Sequence, residues 1–256
     1  MTRIIIHGAL GKMGHKIAEL AQQDPEFTIV AGIDAAAGSN SADAPFPIYA
    51  NWQQCTQDAD VVIDFSTAAA ADALLDACAE RKLNLVLCTT GLSDAQLEHM
   101  REASGKTAIL RSANMSVGIN LLMALLKKVS AQLSGAGYDI EITERHHNRK
   151  IDAPSGTAIA LGEAVNAGLE EPLAFVFDRS AKREARSKKE IGFSAVRGGT
   201  IVGEHEVIFA GEDEVITFSH TAYSRAIFGK GALEAARFLA GKAPGMYSME
   251  DVMDIG

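Results

Sequence analysis

Cysteine is scarce. The 256-residue chain has three, Cys55, Cys78 and Cys88, an odd number with no CxxC spacing. That pattern argues against a disulfide framework and against a zinc site, and free thiols fit a reducing compartment. Basic residues are in deficit, with 24 Lys and Arg against 33 Asp and Glu, for a formal net charge of −9. An acidic chain has no general affinity for nucleic acid or an anionic membrane, so an anionic ligand must be held by a local basic patch. No apolar run approaches the roughly 20 residues of a membrane span. Residues 1–6 are too short an apolar run for a signal peptide and lead straight into a glycine loop. The expectation is a soluble, cytoplasmic protein. Internal repeats and low-complexity linkers are also absent.

What is present is the composition of a globular enzyme, 47% hydrophobic and 22% charged, long enough for one large domain or two modest ones. Through residue 111, apolar runs alternate with helical stretches. Strands are predicted at 3–7, 27–34, 61–65, 83–88 and 107–111. Helices are predicted at 12–23, from a Ser66-Thr67 cap to about 81, and near 95–103 after Ser93-Asp94. This alternation predicts an α/β fold with an N-terminal Rossmann-like, doubly wound parallel sheet. The pattern then changes. A long helix is expected at 115–132, a strand at 138–144, a helix at 155–168 with Gly168 as its stop, and strand-hairpin structure at 191–219 with turns at Gly198-Gly199 and Gly211-Glu212-Asp213. The charged stretch 170–190 reads as a solvated loop. A final helix, 230–240, lacks an apolar partner among the hairpins and is expected to return to the first domain. The expected organisation is residues 1–115 with 226–256 as a dinucleotide-binding domain. Residues 116–225 form a second, α+β domain with a mainly antiparallel sheet, for substrate binding and oligomerisation.

Gly8-Ala9-Leu10-Gly11-Lys12-Met13-Gly14 follows a predicted strand and opens a helix. In that context glycines let backbone N–H groups approach a pyrophosphate at the helix N-terminus. The spacing is GxxGxxG, with Ala9 where the first glycine of the strict pattern would fall. Asp34 ends the second predicted strand about 20 residues on, where an adenosine-ribose carboxylate belongs. An aspartate merely capping the turn before Gly38 would give the same residue. Ala35-Ala36-Ala37 supply no adjacent cation, and a carboxylate repels a 2′-phosphate, so NADH is the expected preference. NADPH is accommodated if Lys12 or a distant cation reaches the phosphate.

Arg145-His146-His147-Asn148-Arg149-Lys150 is a compact cationic stretch in an acidic chain. Histidine exchanges protons near neutral pH, and lysine donates once its pKa is lowered. Ser155-Gly156-Thr157 opens a helix, which suits a carboxylate. Together they point to a small, multiply anionic substrate; a solvated basic turn would have the same composition. Adjacent histidines lack the spacing of a helical zinc pair, and no metal is expected. His7, His205 and His220 read as structural strand histidines, His99 as a surface residue, and Arg149 as solvated or structural.

Several segments resemble the dihydrodipicolinate (4-hydroxy-tetrahydrodipicolinate) reductase family. They are Gly8 through Gly14, Val62-Ile63-Asp64-Phe65-Ser66, Thr89-Thr90-Gly91, Ala113-Asn114-Met115-Ser116-Val117-Gly118, Glu144 through Lys150 with Asp152 through Thr157, Ile201-Val202-Gly203-Glu204-His205, and Ser224-Arg225 with Phe228. The Glu-Arg-His-His string followed by Asp-Ala-Pro-Ser-Gly-Thr is the specific part; the glycine loop is common to many proteins. The resemblance implies reduction of a cyclic conjugated imine dicarboxylate with hydride from NAD(P)H, in lysine biosynthesis by the diaminopimelate route. It implies proton transfer by His146 and Lys150, and substrate-carboxylate contacts from His147, Gly156 and Thr157. Cofactor contacts fall to Gly8, Ala9, Leu10, Gly11, Lys12, Met13 and Asp34. The nicotinamide side falls to Cys88, Thr89, Thr90, Ser112, Ala113, Asn114 and Met115. Some relatives carry glycine at the position of Cys88, and its thiol either crowds the ring or points away. The resemblance also implies a homotetramer built through second-domain sheets. Two other readings stay open: an amino-acid or imine dehydrogenase with another substrate, and a non-enzymatic NAD-sensing module.

Overall fold

The computed structural model describes residues 1–38, 44–112, 114–180 and 182–253. Ala113, one of the residues expected beside the nicotinamide, lies outside the described residues. The chain divides into two compact units, Met1–Ser116 with the segment that begins at Ala226, and Val117–Arg225.

The first unit begins as β1 (Thr2–His7), α1 (Lys12–Gln22), β2 (Phe27–Ile33), β3 (Ile48–Tyr49), β4 (Val61–Asp64), α2 (Ala71–Arg81), β5 (Asn84–Leu87), α3 (Asp94–Ser104) and β6 (Ala108–Arg111). The second unit is α4 (Val117–Gly135), β7 (Asp139–His146), α5 (Gly156–Ala167), β8 (Ala174–Val176), β9 (Glu190–Arg197), β10 (Gly203–Ala210) and β11 (Val215–Ala222). The chain then returns to the first unit as α6 (Ala226–Leu239), β12 (Gly245–Tyr247) and α7 (Met249–Met253).

The first sheet has seven parallel strands in the order β12-β6-β5-β4-β1-β2-β3. Its strands read as continuous apolar runs because both faces are covered. Ile17 of α1 and Ala232, Ala235 and Ala236 of α6 pack with Ile4, Ile6 and Ile63 on one face. Leu74 and Leu75 of α2 and Met100 and Ala103 of α3 pack with Ile5, Val62 and Leu85 on the other. Helix α6 starts four residues earlier than the sequence predicts and runs through Gly229 and Gly231. A Cβ at Gly231 would overlap the Met115 carbonyl oxygen, so the glycine lets helix backbone close on that chain segment. The expected Ser66-Thr67 helix cap does not form. A short 3-10 turn, Ala68–Ala70, precedes α2, and Ser66 Oγ donates back to Asp64 Oδ1 at 2.6 Å. The Ser93 start of α3 does form, as a reciprocal cap with Gln96.

His99 of α3 sits between two carboxylates of α2, with Nδ1 2.9 Å from Asp72 Oδ1 and Nε2 3.0 Å from Asp76 Oδ1. The hydrogen bond to Asp72 leads the effects that raise its pKa above the ordinary 6.5. A raised folded pKa gives stability that is fully present below 6.5 and is lost as pH rises through the folded value. His99→Gln is therefore expected to lower Tm at about pH 6 and to match the parent at about pH 9. A pH-independent Tm difference would contradict this.

The second sheet is five-stranded and mixed, in the order β11-β10-β7-β9-β8. The expected antiparallel pairing holds at β11-β10-β7, whereas β9 and β8 add parallel strands. Helices α4 and α5 cover one face through Leu122, Leu126, Leu161 and Val165 against Ile140, Ile142, Phe193 and Val207. Along β7 burial alternates, with Ile140, Ile142, Glu144 and His146 inward. The stretch 170–190 is not a freely solvated loop. It contributes β8, Arg179 pairs with Glu141 and Glu190, and Arg186 pairs with Asp139 and Glu141. These two arginines find carboxylates on β7 and β9, which composition alone does not reveal.

Candidate active site

In the first unit β1 lies between β4 and β2, so the connections lead away from it in opposite directions. In open parallel sheets a ligand crevice forms at the carboxyl ends of the strands flanking such a switch point. The glycine loop leaves β1 there. Gly8 has φ +79°, and a Cβ on it would stand 2.7 Å from the Phe65 carbonyl oxygen. Gly14 is equally tight, because a Cβ there would overlap the Gly8 carbonyl oxygen.

Helix α1 begins at Gly11 with no side chain capping it and no acid in its first turn. A helix start with neither a side-chain cap nor an acid in its own first turn fits a pyrophosphate. Asp34 is anchored beside the loop, with Oδ2 accepting from Leu10 N at 2.9 Å and Oδ1 from Ala36 N at 2.9 Å. It does brace its own turn, as the alternative reading required, and it also reaches the glycine loop. A cavity of about 340 Å³ opens between Gly8, Gly11, Asp34, Trp52 and Ser66. Trp52, absent from the sequence expectations, lines it, and its Nε1 has no hydrogen-bond partner among the described residues. The donors, the acid and the cavity fit an adenine dinucleotide.

The remaining expected cofactor residues follow β5 and β6. Thr89 is buried with Oγ1 3.4 Å from Ser66 Oγ, and Thr90 is exposed. Cys88 packs against the core cluster that contains Ile63 and Leu110. Burial, reinforced by Asp64, pushes its thiol well above the usual range. Ser112 Oγ donates to the Asn114 carbonyl at 2.9 Å, and Asn114 Oδ1 accepts from Ser116 N at 2.8 Å. Ala9 and Met115 turn their side chains into the core, and Ala9 N donates to the Ile33 carbonyl at 3.3 Å. Lys12 and Met13 begin α1, Lys12 exposed and Met13 half-buried. His7 is buried, Nδ1 2.8 Å from Asp64 Oδ1. Burial alone would raise the Asp64 pKa, and hydrogen bonds from His7, Ser66 and Thr89 outweigh it.

In the second unit, β7 runs through His146 and places Glu144 and His146 two residues apart on the inner face. Strand pairing sets Gly203 of β10 and Arg197 of β9 on either side of His146. Glu144, 1% exposed, accepts from His146 Nδ1 at 2.6 Å, Arg197 Nη1 and Nη2 at 2.7 and 2.6 Å, and Ser155 N at 2.9 Å. Burial raises the Glu144 pKa by itself, and the Arg197, His146 and Ser155 hydrogen bonds together hold it below the usual range. A Cβ at Gly203 would come 3.1 Å from His146 Nε2, so glycine leaves that nitrogen uncovered on the β10 side. His205 lies edge-on, ring centroids 5.1 Å apart, and its Nε2 is 3.1 Å from Ser155 Oγ. Burial, then the neighbouring His146, pushes the His205 pKa down to about 4, which keeps it neutral.

A turn follows β7 and closes with Lys150 N donating to the His147 carbonyl at 3.1 Å. Lys150 Nζ is 2.9 Å from Asp152 Oδ1, and Asp152 Oδ2 accepts from Gly156 N at 3.4 Å. An anion thus already stands between Lys150 and the start of α5. Ser155 caps that helix, accepting from Ala158 N at 3.2 Å. A Cβ at Gly156 meets nothing within 4 Å, and Thr157 is half-buried beside it. His147 Nδ1 is buried without a hydrogen-bond partner among the described residues. Burial and the surrounding Arg149, Arg225, His146 and Lys150 lower its pKa and keep it neutral. Arg149 is exposed.

This unit therefore groups His146, His147, Lys150, Gly156 and Thr157 at one end of its sheet. It adds Glu144, Arg197 and His205, which the sequence expectations left without a role in the site, and ties Ser155 of the expected helix start to Glu144. The i, i+2 spacing of Glu144 and His146 signals the first of these; Arg197 comes from a parallel pairing across about 50 residues. The grouping brings together an imidazole held at one nitrogen by a carboxylate, a primary amine and a helix N-terminus.

Comparison with known proteins points the same way. A family model described as "Dihydrodipicolinate reductase, N-terminus" matches residues 2–115, and one described as "Dihydrodipicolinate reductase, C-terminus" matches residues 118–253. A protein of Caldanaerobacter subterraneus subsp. tengcongensis named 4-hydroxy-tetrahydrodipicolinate reductase is 52% identical over 256 residues, covering 100% of both chains. Its counterpart by name in Clostridium novyi is 47% identical, covering 99% of this chain and 98% of the relative. Among solved structures, the dipicolinate-bound dihydrodipicolinate reductase from Paenisporosarcina sp. TG-14 shares the fold, with a TM-score of 0.79 at 24% identity and 98% coverage of both chains. Both halves of the chain match, and so does its full length: it belongs to the dihydrodipicolinate reductase family.

Proposed function

We propose that the chain reduces 4-hydroxy-tetrahydrodipicolinate, a cyclic conjugated imine dicarboxylate, to tetrahydrodipicolinate with NAD(P)H, in lysine biosynthesis through diaminopimelate. The observation that carries this is the grouping of His146, Lys150 and the α5 start in one unit, a proton donor set beside an anion cradle. The first unit binds the dinucleotide through the α1 N-terminus and Asp34, and the second unit binds and protonates the substrate. The nicotinamide, when bound, supplies hydride. Hydride addition leaves electron density on the conjugated system. His146 Nε2 and Lys150 Nζ stabilise that charge, and either delivers the proton. His147, Gly156 N–H and Thr157 hold a carboxylate, displacing Asp152 from the helix start.

The decisive test is loss of NADH absorbance with this imine as substrate. Turnover only with a different imine or keto acid would favour another dehydrogenase, and dinucleotide binding without any turnover would favour a sensing module. Asp34 has no adjacent cation, so kcat/KM for NADH is expected to exceed that for NADPH by about tenfold, the equivalent of ~1.4 kcal/mol. A clear NADPH preference would remove Asp34 from the discriminating role. The family reading also carries a cytoplasmic homotetramer. The face of the second sheet opposite α4 and α5 offers Val196 and Val215, 50% and 60% exposed, for assembly. Light scattering on the purified chain is expected to give four times the chain mass, and a monomer would overturn this.

A further inference from the structure

The inner face of the second sheet carries apolar side chains along β7 until Glu144, where the pattern breaks with a charge that is 1% exposed. A buried carboxylate needs every lone pair engaged. Here Arg197 grips both oxygens, Ser155 N–H takes one, and His146 Nδ1 takes the other. Four N–H donors from three residues prevent the carboxylate from rotating. The His205 ring, edge-on at 74°, packs against His146 from a second side.

We propose that Glu144 is a positioning residue for His146. Locked by Arg197 and the Ser155 N–H, it keeps a proton on His146 Nδ1 and leaves Nε2, beside Gly203, to exchange a proton with substrate. The inference rests on the reading of His146 as a proton-transfer residue given above. The reason is directional. An ionised carboxylate only accepts hydrogen bonds, so the nitrogen facing it must be the donor. Arg197 and Glu144 offset one another, so the imidazole can carry a positive charge when Nε2 is also protonated. When the Nε2–H bond breaks, its proton goes to the carbanionic product of hydride addition. The imidazolium becomes the neutral Nδ1–H tautomer, and the substrate loses one negative charge. A purely structural Glu144, tying β7 to β9 and α5, would need neither the His146 bond nor a particular tautomer.

The experiment has two arms on the full chain. Ring-nitrogen NMR of 15N-labelled protein, with His146 assigned by comparison with His146→Gln, reads the tautomer without any turnover. Neutral His146 is expected as Nδ1–H in the parent. In Glu144→Gln the amide oxygen can keep the Ser155 N–H while its NH2 group faces Nδ1, so the proton is expected to move to Nε2. In steady-state kinetics the same variant is expected to lose about 10²-fold in kcat with KM for NADH unchanged. If the single variant does not fold, Glu144→Gln with Arg197→Gln removes the stranded cation and carries the same measurements. An unchanged tautomer in the variant, or an unchanged kcat, overturns the proposal. Absence of parent turnover with the imine would sink the functional reading instead, while the NMR arm still decides whether Glu144 sets the tautomer.

Discussion

His146→Ala lowers kcat by about 10²–10⁴-fold, the usual contribution of a positioned acid or base, and leaves NADH affinity unchanged. The residue lies in the second unit and the proposed dinucleotide-binding features lie in the first, so on this reading removing the imidazole subtracts from proton transfer and not from cofactor binding. Lys150→Ala gives a fall of the same order in kcat, together with a higher KM for the dicarboxylate, since its ammonium also neutralises an anion at the start of α5. Stopped-flow turnover and fluorescence titration with NADH separate the two effects. Turnover at the parent rate in either variant would strike that residue from the catalytic list.

Arg197→Met destabilises the fold by about 3–5 kcal/mol, the cost of leaving a buried charge without its partner. In a chain of this size that is roughly 10 °C in Tm. Glu144 is the stranded charge, and His146 and Ser155 N–H remain its only described partners. The pH dependence follows from the depressed Glu144 pKa. Its stabilising contribution is present above the ordinary 4.5 and is lost as pH falls through the folded value. The gap between variant and parent is therefore widest above that pH and narrows in acid. Urea melts at several pH values measure it, and a gap that stays constant through the acid range would place the cost elsewhere.

The chain exposes much of this in its local pattern. The continuous apolar strands and the loop-helix junction at Gly8 through Gly14 report a parallel sheet because burial on both faces leaves no alternation. The linear string from Glu144 to Thr157 exposes His146, Lys150 and the α5 cap because a strand end, a turn and a helix start are contiguous there. The predicted strand ends at Glu144, two residues short, and that hides the shared face of Glu144 and His146. Arg197 and Trp52 are hidden for another reason. Their placement depends on β9 joining β7 in parallel and on a two-residue β3, and tertiary packing decides both. The charged stretch 170–190 misleads similarly, since Arg179 and Arg186 are solvated only until β7 presents Asp139 and Glu141.

Helix α6 closes on the Met115 carbonyl through Gly231, and its alanines fill the core beneath β1 and β4. During synthesis those core positions emerge only after the second unit has been made. The second unit can thus reach its fold while the first still exposes one face of a hydrophobic sheet, an interval in which chaperone capture or edge pairing competes with folding. Substitutions that slow α6 docking should reduce the yield of folded protein before they change the activity of the molecules that succeed.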